Sequence, residues 1–231
     1  MTILLTGSSR GIGAAIFTSL QGAGATVIGH GTASGIAADF ADPAAPRALW
    51  DAALEQAGGA IDVLVNNAGV FEANPLTRDH DDWVADWERT LRINLTASAE
   101  LCRLAVRHWE ERGTGGRIVN IASRAAYRGD SPAHWHYAAA KAGMVAMTKT
   151  IARGYAKEGI LAFAICPGFT MTGMADDYLA SRGGDKLLAD IPLGRVADPE
   201  EVAAVARFCA LEAPASMTGA VLDVNGASYV R

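Results

Sequence analysis

The amino-acid sequence predicts an α/β protein: a doubly wound parallel sheet forming a single domain over residues 1–231. Short apolar runs alternate with longer helical patterns along the whole chain. Most of the short runs are continuously apolar, which is typical of parallel strands covered on both faces. The sequence has no internal repeat, low-complexity stretch or Pro/Gly/Ser-rich linker that would divide it. One sheet with helices on both faces accounts for this pattern.

Each element follows from its local pattern. The predicted strands are residues 3–5, 26–29, 36–39, 63–65, 117–121, 161–166 and 220–224. The predicted helices are residues 12–22, 44–57, 78–112, 136–157 and 199–211. The last helix has the clearest start, because Asp198 suits the N-cap, Pro199 suits the first helical position and Glu200 faces the positive end of the helix dipole.

The link between the second and third predicted strands is unusually short. It spans residues 29–35, whereas a parallel crossover normally takes about a dozen residues and usually includes a helix. Either a short extended return replaces that helix, or the third strand is misplaced.

Composition excludes several classes of function. The chain has 20 basic and 25 acidic residues, so it offers no basic excess to nucleic acid or to an anionic membrane. Cys102, Cys166 and Cys209 lie far apart and form no CxxC pair and no even disulfide framework. The longest apolar stretch, residues 159–169, is far below the roughly 20 residues that span a bilayer, and no basic segment precedes the first strand. We therefore expect a cytoplasmic protein.

A glycine-rich turn follows the first strand. Gly7, Gly11 and Gly13 stand in the segment TGSSRGIG, directly before the first helix. Such glycines allow a tight turn, approach of a pyrophosphate to the main chain and close packing of helix on strand. The N–H groups at the helix start then attract phosphate. A purely structural turn is the alternative, but the position between strand and helix favours a dinucleotide site.

Polar residues also follow the fourth and fifth strands. The turn Asn66-Asn67-Ala68-Gly69 predicts a second ligand-facing edge, with an ordinary polar turn as the alternative. Ser123 follows the fifth strand, and Tyr137 and Lys141 share one helix face. A nearby ammonium favours a phenolate and lowers its pKa, which would make Tyr137 a general acid/base. The alternative is a surface i,i+4 pair.

Together these segments resemble the short-chain dehydrogenase/reductase family over essentially the whole chain. The ordered set is specific although each motif is modest. It comprises Thr6-Gly7 with Gly11-Ile12-Gly13, residues 66–69, Asn94, Ser123, Tyr137 with Lys141, Pro167-Gly168 and residues 223–226. The chain departs from the family pattern in a longer Ser123–Tyr137 interval and in Thr170, which stands where Val or Ile is usual.

The resemblance implies a Rossmann-type fold and an NAD(P)-dependent oxidoreductase that interconverts an alcohol and a carbonyl compound by hydride transfer. Tyr137 would exchange the proton, Lys141 would bind the nicotinamide ribose, Ser123 would orient the substrate oxygen and Asn94 would hold a water in a proton relay. The implied cofactor site comprises Gly7, Ser9, Arg10, Gly11, Ile12, Gly13, His30, Thr32, Asp39, Asn67, Ala68, Gly69, Tyr137, Lys141, Pro167, Gly168, Thr170 and Thr172.

NADP(H) is the predicted cofactor, with NAD(H) possible. Residues 1–38 contain no Asp or Glu to accept from a ribose 2′-hydroxyl, and Arg10 is placed to pair with a 2′-phosphate. His30 and Thr32 would add hydrogen bonds, while Asp39 would lie near the adenine. The alternative is that Arg10 only faces solvent.

The substrate is predicted to be a small carbonyl or alcohol compound. The candidate substrate residues are Arg124, His134, Phe169 and Met174, and residues 170–195 form a candidate lid. His134 and His136 have metal-like spacing but no third ligand, so we predict no metal. Apolar residues on helices 78–112 and 136–157 predict a homotetramer or homodimer. Two other functions remain open: a nucleotide-sensing module without turnover, and another Rossmann-type enzyme such as a methyltransferase.

Overall fold

The computed structural model describes residues 1–171 and 188–231. It contains a seven-stranded sheet in the order β3-β2-β1-β4-β5-β6-β7, with every pairing parallel, which confirms the predicted fold class. The strands are β1 (Thr2–Leu5), β2 (Thr26–Gly31), β3 (Ile36–Ala37), β4 (Val63–Asn66), β5 (Gly116–Ile121), β6 (Ile160–Pro167) and β7 (Val221–Val224). Thr172, Met174 and most of the candidate lid lie outside the described residues.

The helices cover both faces of the sheet. They are α1 (Gly11–Gly22), α2 (Ala45–Gln56), α3 (His80–Leu91), α4 (Ala97–Arg112), α5 (Ala125–Arg128), α6 (Trp135–Tyr155) and α7 (Pro199–Arg207). The predicted helix over residues 78–112 begins at His80, and a π-helical turn, Arg92–Thr96, lies between its two α-helical parts, α3 and α4. The short α5 was not predicted. In the described ranges, no helix combines the length and apolarity needed to cross a bilayer.

Side chains that alternate along the strands form two hydrophobic cores, one on each face of the sheet. Leu4 and Leu64 point to the face covered by α2 and α4, where Trp109 is fully buried. Ile3 and Leu5 point to the opposite face, where Ile16 of α1 packs. Because both faces are covered, the central strands are mostly apolar on both sides, as the sequence pattern predicts.

The short link is a turn. Residues 32–35 connect β2 to β3, and His30 pairs in parallel with Ile36. Gly35 has φ of +65°, and a Cβ at this position would lie 2.2 Å from the Gly29 carbonyl oxygen. β3 pairs only with the last residues of β2. This short turn is therefore long enough to bring the chain to the start of β3, and no crossover helix is required.

Candidate active site

The carboxyl ends of the parallel strands gather the predicted site residues at one edge of the sheet. The glycine turn follows β1, residues 67–69 follow β4, Ser123 follows β5, and Gly168 follows β6. The first turns of α6 add Tyr137 and Lys141 to the same edge. Parallel register therefore converts distant sequence segments into one site.

The glycine turn forms a close-packed cradle against the end of β4. A Cβ on Gly13 would lie 1.9 Å from the Gly7 carbonyl oxygen and 2.5 Å from Nδ2 of Asn67. Asn67 Nδ2 donates to the main-chain oxygens of Gly7 (2.9 Å) and Thr6 (3.1 Å). Thr6 Oγ1 in turn accepts from the main-chain N–H groups of Asn67 and Ala68, each at 3.0 Å. No larger residue fits at Gly13 without opening this junction.

The start of α1 suits an anion. Its N-cap, Arg10, makes no side-chain capping bond, and the first turn holds no acidic residue. The unpaired N–H groups and the positive end of the helix dipole therefore lie beside the glycine cradle. This arrangement fits the pyrophosphate of a dinucleotide. Ile12 packs its side chain on the core, so it presents only its main chain to the cradle.

His30 has a role that the sequence did not predict. Its ring is 3% exposed and stacks on Phe40 with centroids 4.5 Å apart. Nδ1 accepts from the Gly7 N–H (3.2 Å), which leaves Nε2 to donate to the Ala38 oxygen (3.0 Å). Burial lowers the pKa of His30, in keeping with this neutral tautomer. Because both ring nitrogens have main-chain partners, His30 holds the glycine turn against β2 and β3 instead of facing a ligand phosphate.

The other residues predicted around the adenosine end lie at the surface. Ser9, Arg10, Thr32 and Asp39 are exposed. A Cβ on Gly31 would lie 3.4 Å from Ser9 Oγ and 2.8 Å from Ser34 Oγ, so the glycine turn and the β2–β3 turn are adjacent. Asp39 Oδ1 accepts from the Ala41 N–H at 2.9 Å.

Ser123, Tyr137 and Lys141 come together as predicted from the spacing. Tyr137 lies beside Ser123, whose Oγ accepts from the Ala125 N–H at 3.1 Å. Lys141 is 4% exposed, donates to the Ile121 oxygen at 2.8 Å, and places Nζ 5.8 Å from the Tyr137 ring centroid. A Cβ on Gly69 would lie 3.6 Å from Lys141 Nζ, so the Asn-Asn-Ala-Gly turn adjoins the lysine.

Burial dominates the electrostatics of this pair. It raises the pKa of Tyr137 to about 12, even though the Ser123 hydrogen bond favours the phenolate. It also lowers the pKa of Lys141 to about 8. The expectation that Lys141 lowers the Tyr137 pKa below its ordinary value is therefore wrong for this structure. Desolvation of the hydroxyl outweighs attraction to an ammonium whose own charge burial disfavours.

Asn94 lies in the π-helical turn and is fully buried. Its Oδ1 accepts from the Val70 N–H and its Nδ2 donates to the Val70 oxygen, both at 2.8 Å. The side chain thus fixes the chain that follows Gly69, and both ends of its amide are already paired. The helical pattern continues through residues 92–96 because the π turn is itself helical and lies inside one continuous helical segment.

The substrate side combines aromatic rings with a guanidinium. Phe71 stacks on His134 with centroids 4.0 Å apart and meets Tyr137 edge-on at 4.8 Å. Phe71 was not predicted, and it lies two residues after the Asn-Asn-Ala-Gly turn. The Arg124 guanidinium carbon lies 5.1 Å from the centroid of the Phe169 ring.

The segment after β6 is held by the C-terminal strand. The Gly168 N–H donates to the Val224 oxygen at 2.9 Å, and a Cβ on Gly168 would lie 2.9 Å from Asn225 Cα. Thr170 is buried, and its hydroxyl donates to the Gly168 oxygen at 3.3 Å. Pro167 is the last residue of β6, so Gly168 and Thr170 lie at the same edge of the sheet as Lys141 and Ser123.

Metal and thiol chemistry find no support among the residues that the structure describes. No group of three or more His, Cys, Asp or Glu side chains is arranged there to hold a metal ion. The three cysteines are buried and unpaired, and burial raises the pKa of Cys166 to about 11. A neutral thiol at the end of β6 is a poor nucleophile.

Comparisons with known proteins agree with this geometry. Residues 7–227 match the family described as enoyl-(acyl carrier protein) reductase. The chain is 36% identical to the 3-oxoacyl-[acyl-carrier-protein] reductase FabG of Vibrio harveyi, covering 98% of this chain and 96% of that protein. A proposed 2-deoxy-D-gluconate 3-dehydrogenase of Agrobacterium tumefaciens, solved with bound NADP, superposes with a TM-score of 0.88 at 28% identity, over 100% of this chain and 96% of that one. A proposed gluconate dehydrogenase from the same organism superposes at 0.89 with 30% identity, over the same shares of the two chains.

Replacing Lys141 by Met tests the cost of burying its charge. The folded pKa of about 8 lies below the ordinary 10.5, so the unfolded chain binds more protons between these values. Wild-type stability therefore rises with pH across that window and is lowest below it. The free energy of unfolding of Lys141→Met relative to wild type should be highest at pH 7 and fall by up to about 3 kcal/mol near pH 10.

Urea titrations of the cofactor-free protein at pH 7 and pH 10 measure this difference. Lys157→Met, at an exposed position, is the matched control and should show no such pH dependence. A Lys141→Met difference that stays constant between the two pH values would contradict the buried-charge interpretation.

Proposed function

The chain belongs to the short-chain dehydrogenase/reductase family, and we propose that this oxidoreductase interconverts an alcohol and a carbonyl compound, with NADP(H) as its preferred nicotinamide cofactor. The observation that carries the proposal is the placement of Tyr137 beside Ser123 and Lys141, at the edge that also holds the glycine cradle. A sensing module needs the cradle alone, so the presence of this proton-transfer group favours an enzyme.

The nicotinamide ring supplies the hydride chemistry when it is bound. The chain supplies the proton and the positioning. At neutral pH Tyr137 carries its proton, because burial holds its pKa near 12, and its hydroxyl donates to the substrate oxygen as negative charge develops there. Ser123 hydrogen-bonds the same oxygen and so stabilises that charge.

Lys141 and Asn94 support this step from behind the tyrosine. A protonated Lys141 stabilises the phenolate that remains after proton donation, and its position beside Gly69 suits contact with ribose hydroxyls. The Asn94 side chain is committed to Val70. We therefore place its contribution to a proton relay in the main chain of the π turn, with its side chain as a positioning group.

The preference for NADP(H) rests on charge at the adenosine end. Arg10 is exposed at the start of α1, and Thr32 and Ser34 lie in the adjacent β2–β3 turn. Residues 1–38 carry no carboxylate to repel a 2′-phosphate. His30 contributes by fixing the two turns against each other.

The assembly is proposed to be a homodimer or homotetramer through the predicted helices 78–112 and 136–157, which correspond to α3 with α4 and to α6. Leu101 of α4 and Met144 and Ile151 of α6 are buried within the protomer itself. Leu95 in the π turn and Met147 on α6 remain half-buried. Light scattering at micromolar concentration should give a mass of two or four chains, and a monomeric mass would contradict the proposal.

Tyr137→Phe tests the chemistry. The ring still packs edge-on against Phe71, but the proton donor is lost, so kcat/KM with NADPH should fall by roughly 10²- to 10⁴-fold. A panel of ketones and aldehydes, followed by the absorbance of reduced nicotinamide, provides the measurement. Tyr127→Phe is the matched control, because the Tyr127 hydroxyl bonds to Lys149 and Arg231. Near-full turnover by Tyr137→Phe would refute this mechanism.

Arg10→Ala tests cofactor preference. A charge-assisted bond to a 2′-phosphate contributes about 1.5–3 kcal/mol, so kcat/KM for NADPH should fall about tenfold or more while that for NADH changes little. Arg153→Ala, at an exposed position on α6, should change neither value. Equal use of NADH by the wild type, unaffected by Arg10→Ala, would overturn the assignment.

A further inference from the structure

A buried guanidinium next to the catalytic serine has an unused donor. Arg124 is 8% exposed, and its main-chain N–H bonds to the Pro167 oxygen at 2.9 Å, which fixes the residue between the ends of β5 and β6. Its Nη1 is buried, and throughout residues 1–171 and 188–231 no acceptor forms a hydrogen bond with it. A buried charged donor without a partner costs considerable free energy, so such groups are usually paired.

The charges around Arg124 do not balance. Among residues 1–171 and 188–231, the carboxylate that pairs with Arg124 is Asp190, whose Oδ2 lies 3.6 Å from Arg124 Nη1, but Arg128 Nη1 holds the same oxygen at 2.6 Å. Two guanidinium groups thus share one carboxylate, and Asp130 contributes only from a greater distance. Burial, and after it the Arg128 charge, lower the pKa of Arg124.

The position of Arg124 suits the substrate and not the cofactor phosphates. It directly follows Ser123, and its guanidinium lies over the Phe169 ring. The phosphate cradle lies at the ends of β1 and β4, whereas Arg124 lies at the ends of β5 and β6. A planar guanidinium held against an aromatic ring presents its fork edge-on, the geometry that pairs with a carboxylate.

We propose that the substrate of this enzyme carries a carboxylate, in addition to its reacting carbonyl or alcohol group, and that Arg124 binds it. Arg124 is thus a specificity-determining residue that selects hydroxy and oxo acids over uncharged compounds. The inference rests on the proposed oxidoreductase function of the same site. The missing counter-ion of Arg124 is then supplied by the substrate.

The test pairs acids with uncharged analogues of the same size. The probes are 3-oxobutanoate, 4-oxopentanoate and 5-oxohexanoate, which vary the distance between carbonyl and carboxylate, each with its primary amide. With NADPH, at least one acid should exceed its amide in kcat/KM by about 10- to 100-fold, the range for a hydrogen bond to a charged group. Dihydroxyacetone phosphate against dihydroxyacetone forms a separate arm, and a preference confined to the phosphate would overturn the assignment to carboxylate.

Two substitutions separate recognition from structure. Arg124→Met keeps the packing on Phe169 but removes the charge, so kcat/KM should fall more for the acid than for the amide and the preference for acid should disappear. Arg124→Lys should keep part of the preference, since it retains the charge and loses the fork. Arg153→Met, at an exposed position, should leave the preference unchanged. A residue with only a structural role would lower turnover of acid and amide equally, and that result would refute the proposal.

Equilibrium binding distinguishes the failure of this inference from that of the proposed function. Calorimetry with the NADPH-loaded wild type should show tighter binding of the acids than of the amides, and Arg124→Met should abolish the difference. If no carbonyl compound is turned over but this binding difference is found, the oxidoreductase proposal fails and the carboxylate site stands. If uncharged carbonyls are turned over and acids show no advantage in rate or binding, the oxidoreductase proposal stands and the carboxylate site is refuted.

Discussion

The candidate site depends on the junction at which the glycine turn meets the end of β4. Gly13 brings α1 so close to the Gly7 carbonyl that a single added carbon would lie within 2 Å of it. Asn67 and Thr6 then close the junction with hydrogen bonds in both directions. Because every later strand of the sheet is built outward from β4, the alignment of β1 with β4 fixes where the uncapped start of α1 lies relative to Ser123 and Lys141. The chemistry of cofactor and substrate is thereby brought to one edge.

Burial of ionisable side chains is a second feature of the site. The same burial that holds the proton on Tyr137 also weakens the charge of Lys141 and leaves Arg124 without a full counter-ion. The buried charges of Lys141 and Arg124 are unfavourable for the stability of the protein without ligand. Each of the three groups becomes useful when a ligand supplies what is missing: an oxygen that takes the tyrosine proton, ribose hydroxyls for the lysine, and an anion for the arginine. Local instability of this kind is expected where a structure is organised for a ligand.

Sequence analysis missed features whose local sequence is compatible with more than one structure or role. Residues 92–96 are as compatible with α-helix as their neighbours, so local propensity gives no sign of the π turn, which carries Asn94 and its hydrogen bonds to Val70. His30 carries the same donors and acceptors whether it faces a ligand or the core, and only the fold shows that Gly7 and Ala38 use both of its nitrogens. Phe71 is a single aromatic residue in a loop, and nothing in its own neighbourhood marks it as the ring that stacks on His134.

The sequence by itself determined the alternation of strands and helices, the glycine positions of the turn and the shared helix face of Tyr137 and Lys141. These features are local, since they follow from residue spacing and from main-chain geometry over a few residues. The tertiary structure alone decided the direction of the Tyr137 pKa shift, the structural role of His30 and the unused Nη1 donor of Arg124. Burial and hydrogen-bond partners come from residues far apart in the chain, and the free energy of a charge or a proton depends on what surrounds it in space.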